Sequence, residues 1–152
     1  MFGIGNIKYA PGTIASLFTC LFYCYLFSIK AGVFLILLFY ILLIILSIIL
    51  IDKFSNKFKN KDPKEIVIDE FIGQSIPLIS FYILVSFYEK DVFYFLTIIS
   101  FILFRLFDIF KPFPINLVDK KMKNGVGVVL DDILAGIFTV IVILLFLWGI
   151  NI

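Results

Sequence analysis

Polar positions are so sparse along this chain that they divide it into a few long apolar blocks. Five such blocks, about 14–29, 32–51, 66–88, 92–110 and 128–150, come close to the ~20 residues a helix needs to cross a bilayer. They predict an all-α, polytopic membrane bundle of four to five membrane-embedded helices, a single domain over residues 1–152. The count stays open because the first block is short for a full crossing: it either spans or lies re-entrant at the interface. Two polar stretches separate the blocks, "DKFSNKFKNKDPKE" (52–65) and "KPFPINLVDKKMKNGVG" (111–127). The other two breaks, around "SIKAG" and "YEKD", are short enough to be tight turns at the opposite end.

Composition removes the soluble alternative. Hydrophobic residues make up 62% of the chain and aromatic residues 18%, with a mean hydropathy of +1.15, more than a soluble domain of this size carries. The net charge of +2 is uninformative, and no nucleic-acid partner is expected. Cys20 and Cys24 lie within an apolar block in a chain without histidine. They read as packing or lipid-facing residues rather than metal ligands. The start "MFGIGNIKYAPGT" lacks the basic flank and apolar stretch of a secretory leader. Lysine placement orients the bundle, because cytoplasmic ends of membrane helices collect Lys and Arg. Ten lysines fall with the N-terminus and the two polar stretches, against Lys30 and Lys90 at the other end. Both polar stretches are therefore expected on the cytoplasmic side.

An ionised carboxylate inside a span is costly unless paired or metal-bound, so the depth of each acid matters. Six of the eleven acids fall in connections. The other five are Asp69 and Glu70 at the start of the third block, Asp108 at the end of the fourth, and Asp131 and Asp132 near the start of the fifth. All five sit at the same, cytoplasmic end. Helical spacing groups them with small or polar residues: Asp69 with Gly73, Gln74 and Pro77, and Asp131 or Asp132 with Ala135, Gly136 and Thr139. Small residues let helices approach closely in lipid, so the acid-bearing faces are expected to pack together around a carboxylate-lined cleft.

Each acid also has a simpler reading. Asp69, Glu70, Asp131 and Asp132 near helix starts offset the helix dipole, worth up to about 1 kcal/mol each, and Arg105 with Asp108 forms an ion pair at helical spacing. Five acids on three spans exceed what dipole compensation needs. A hard divalent cation relieves their repulsion, and an all-oxygen set suits Mg2+, with Asp69, Glu70, Asp131 and Asp132 as candidate ligands. Arg105 and Lys111 then suit a phosphate carried by a lipid at the membrane surface. Gly125 and Gly127 in "NGVG" would let backbone approach that anion, although a glycine-rich stretch beside a helix is often only a turn.

The segments "APGTIASL", "IVIDEFIG", "FRLFDIFKPFPI" and "GVGVVLDDILAG", in this order and spacing, resemble the bacterial phosphatidylglycerophosphatase A family. The resemblance runs from about Gly5 to Gly136. It implies a Mg2+-dependent, multi-pass inner-membrane phosphatase of phospholipid biosynthesis that converts phosphatidylglycerophosphate to phosphatidylglycerol, with its site facing the cytoplasm. By position, the family's acidic residues fall on Asp69, Glu70, Asp108, Asp131 and Asp132, and its basic ones on Arg105 and Lys111. Ala15 and Asn124 depart from it, each standing where the family has glycine. Without histidine, and with both cysteines in an apolar helix, the chemistry reduces to two routes: a carboxylate activates water, or a carboxylate attacks phosphorus. The residues leave open which acid is ligand and which is base. Rival readings are another lipid-phosphate enzyme such as a phosphotransferase, whose DGxxAR signature is absent, and a small transporter, whose acids would lie nearer mid-membrane.

Overall fold

Pro11 opens the first helix, where its missing N–H costs nothing. α1 therefore begins ahead of the apolar block, at Pro11–Ser28. α2 (Val33–Ser55), α3 (Ile68–Val85), α4 (Lys90–Phe110), α5 (Ile115–Lys121) and α6 (Gly125–Gly149) follow. The computed structural model describes residues 10–55, 67–85, 90–122 and 124–149. Most of the 52–65 connection, Lys8, Lys123 and the turn holding Glu89 lie outside the described residues. The fold is all-helical among these, and α1, α2, α3, α4 and α6 are long and apolar enough to cross a membrane.

Successive long helices run antiparallel, so the starts of α1, α3 and α6 meet the ends of α2 and α4. α1 covers about 27 Å at 1.5 Å per residue and runs the length of the bundle. At one end Gly12 lies against Glu70 and Arg105; at the other, Phe27 stacks on Phe93 with ring centroids 4.1 Å apart. A short, re-entrant first segment is thereby replaced by a fifth full-length helix. The 111–127 stretch differs from a plain polar loop, since it contains the short helix α5. Ile115 anchors it by packing, wholly buried, with Phe104 and Ala135.

α3 occupies the centre and touches α1, α2, α4 and α6. Its small-residue face behaves as the spacing predicts, with Gly73, Gln74 and Pro77 all buried. Pro77 lacks the N–H that would bond the carbonyl one turn back, at Gly73. That carbonyl is where α6 makes its closest approach: a Cβ on Gly136 would overlap the Gly73 oxygen. On the other side, a Cβ on Gly73 would sit 2.6 Å from the Asp132 carbonyl oxygen and 2.7 Å from Phe104 Cε2. Two glycines thus set the α3–α6 distance. Buried Ser16, Thr19, Ser75, Thr97, Ser100 and Thr139 each donate to the carbonyl four residues earlier, which satisfies their hydroxyls within their own helices. Cys20 is buried in the apolar core beside Tyr23. α2 turns most of its side chains outward, as a helix facing lipid does.

Candidate active site

The close α3–α6 packing brings three acids together at the end of the bundle where α1, α3 and α6 begin. Asp69, Glu70 and Asp132 each place a carboxylate oxygen within 4.8 Å of the other two. Asp69 and Asp132 are buried and Glu70 is half-buried. Like charges at this separation repel strongly in a medium of low dielectric, and no ammonium or guanidinium among the described residues forms an ion pair with Glu70 or Asp132. The donor set is wholly hard oxygen, which fits a small divalent cation of the Mg2+ kind. Glu70 Oε2 is buried and makes no hydrogen bond among the described residues, so it has an acceptor to offer.

Arg105 and Asp108 share one face at the end of α4 and form an ion pair of 2.5 Å. This leaves the rest of the guanidinium free of Asp108, and Nε is buried without a hydrogen-bond partner among the described residues. The guanidinium also reaches α1. A Cβ on Gly12 would overlap Glu70 Oε1 and come within 3.2 Å of Arg105 Nη1, so glycine is what lets Glu70 and Arg105 share the space under α1.

Lys111 lies differently from a bare phosphate ligand. It ends α4 in a left-handed conformation, φ 42°, which a side-chain-bearing residue adopts at a cost of about 1 kcal/mol. Its N–H donates to the Phe107 carbonyl at 2.8 Å. The side chain then donates to Asp119 of α5 at 2.8 Å and Asp131 of α6 at 2.5 Å. Burial disfavours the charge on Lys111, but these two carboxylates outweigh it and raise the ammonium above its ordinary range. Asp131 is accordingly engaged with Lys111, one residue away from the group that Asp132 joins.

Gly127 is drawn into helix capping. Asn124 Oδ1 accepts the Gly127 N–H at 2.9 Å and the Asn124 carbonyl accepts from Val128, the pattern of a helix N-cap. A Cβ on Gly127 would overlap the Met122 carbonyl. Gly125, also buried, begins α6. Asn124, which departs from the family pattern, therefore supplies a capping oxygen that glycine lacks.

Asp69, Glu70, Asp108, Asp132 and Arg105 thus converge, Asp131 and Lys111 form an adjoining tether, and Gly125 and Gly127 shape the start of α6. Three participants acquire their roles only in the fold. Asp119 reads as an ordinary loop acid until α5 folds under Lys111. Gly12 needs the α1–α3–α4 contact to acquire meaning. Gln74, a carboxamide one turn below Glu70 in an apolar helix, was the most visible signal.

Two comparisons relate the chain to known proteins. A family model described as Phosphatidylglycerophosphatase A matches residues 1–147. A protein from Haemophilus influenzae named Phosphatidylglycerophosphatase A is 38% identical over 147 residues, covering 93% of this chain and 82% of the relative. No solved structure matches the chain.

Proposed function

The chain belongs to the phosphatidylglycerophosphatase A family, a family of phosphatases, and from that premise we propose that it hydrolyses phosphatidylglycerophosphate to phosphatidylglycerol and phosphate, as a step of phospholipid synthesis, with Mg2+ held by Asp69, Glu70 and Asp132. The observation that carries this reading is the meeting of those three carboxylates at one end of a membrane bundle, beside a guanidinium with donors to spare. Headgroups lie at that depth, so a phosphate monoester on a lipid reaches the site while its acyl chains stay among the outward-facing side chains. A bound cation would offset the carboxylate charge and draw electron density from a phosphate oxygen.

The chain's own residues do the rest. Arg105 binds phosphate oxygens through the nitrogens that Asp108 leaves free, and Asp108 fixes the plane of the guanidinium. Lys111, shared between Asp119 and Asp131, orients the start of α6 and adds positive charge nearby. In the reaction a water oxygen bonds to phosphorus as the bond from phosphorus to the glycerol oxygen breaks, a carboxylate of the group takes the water proton, and the departing glycerol oxygen takes a proton from solvent. The lysine bias of the polar connections supports a cytoplasm-facing site in the bacterial inner membrane.

The test is phosphate release from phosphatidylglycerophosphate by the purified protein in detergent, with Mg2+ and with a chelator. Release that requires the metal is the expected result. Absence of release defeats the hydrolytic reading, and release unaffected by the chelator defeats the metal assignment.

A further inference from the structure

Gln74 presents a problem that the reading above does not use. It is 0% exposed, and neither its carbonyl oxygen nor its amide nitrogen makes a hydrogen bond among the described residues. A buried polar group left unpaired gives up its bonds to water for nothing in return, so a partner from outside the chain is implied. The buried hydroxyls of α1 and α4, Ser16, Thr19, Thr97 and Ser100, spend their protons on their own helices. Gln74 lies four residues after Glu70, on the same face of α3, and a helical side chain leans back over the preceding turn, here toward Glu70. Glu70 Oε2 is likewise a buried acceptor that makes no hydrogen bond among the described residues.

We infer that Gln74 is a positioning residue whose carboxamide, with Glu70 Oε2, holds a water molecule on the inner side of the carboxylate group. The pairing of donors and acceptors selects the ligand. Gln74 Nε2 only donates, while Gln74 Oε1 and Glu70 Oε2 only accept. A cation would leave the amide N–H groups unserved, and a phosphate would leave the two oxygens facing further oxygens. Water both donates and accepts. It also suits the depth, because Gln74 lies one turn below the carboxylates whereas the lipid phosphate meets Arg105 nearer the surface. Resting on the hydrolytic reading, the inference makes this the water that is consumed. Its oxygen bonds to phosphorus, its proton leaves to solvent by way of the carboxylate group, and the glycerol oxygen, as its bond to phosphorus breaks, takes a proton from the aqueous side.

Gln74→Met tests this, since methionine keeps the unbranched length and removes the orphan amide. The expected result, with phosphatidylglycerophosphate as substrate, is a melting temperature at or above wild type, kcat lower by at least about tenfold and KM within about twofold. A water-holding role predicts this split because water is not part of KM. Wild-type kcat in Gln74→Met overturns the inference, and so does a rise in KM at unchanged kcat, which would put the amide on the substrate. Should Gln74→Met not fold, Gln74→Asn decides: it keeps the amide but withdraws it by one methylene, and the same kcat-only loss is expected. Wild-type protein that releases no phosphate defeats the hydrolytic reading and this inference with it. Active wild type beside an equally active variant defeats the inference alone.

Discussion

Asp132 is costly to hold in place, buried at 4% exposure with two other carboxylates within reach and no ion-pair partner among the described residues. Replacing it by asparagine removes repulsion while nearly preserving shape. Asp132→Asn is therefore expected to lower turnover by at least about a hundredfold while its melting temperature in metal-free buffer stays level or rises. Thermal melts beside phosphate-release assays check both halves; a drop in stability with turnover intact would restore the helix-dipole explanation. Arg105→Lys keeps the charge but loses the planar fork, and a loss of about tenfold in kcat/KM is expected. Its Mg2+ requirement should be unchanged in a metal titration. The candidate residues were legible in the chain, because an acid in an apolar helix advertises itself. What was not legible was partnership. Asp131 and Asp132 are adjacent and chemically identical, and only the position of Lys111 over α5 and α6 separates a tethered carboxylate from one in the cluster.

At the level of helices, spacing predicted the buried faces of α3 and α6, and those faces pack as expected. Hydropathy could not show α5, whose seven residues are too few and too polar for that signal and which is anchored through Ile115. The first helix was similarly obscured, since "PGT" is not apolar although Pro11 is well placed to start a helix. Two glycine substitutions separate fold from site. Gly136→Val forces α6 off the Gly73 carbonyl, and overpacking of this kind costs about 1–3 kcal/mol, so melting temperature and activity should fall together. Gly12→Ala meets only the ends of the Glu70 and Arg105 side chains. It should leave the melting temperature within a few degrees while lowering kcat/KM by about tenfold or more, as displaced groups in a site do.

Across the whole molecule, the antiparallel run of five long helices places Lys53 and Asn124 at the acid-bearing end and Lys30 and Lys90 at the other. Single cysteines at Lys53 and Asn124, in a chain lacking Cys20 and Cys24, should react with an impermeant maleimide from the cytoplasmic face, and one at Lys30 from the opposite face. Labelling of Lys53 and Asn124 from different faces would dismantle the site as described. The acid-bearing end also has a bearing on synthesis. Asp69 and Glu70 emerge from the ribosome and enter the membrane well before Asp132, which arrives with the last helix. Their place in the first turn of α3 allows them to wait in the headgroup layer with water around them, where a charge is cheaper to hold than at mid-bilayer. The costly dehydration is thus deferred until α6 docks on Gly73, and a nascent chain that stops short of its final helix is left with the site's charges still hydrated and the enzyme unassembled.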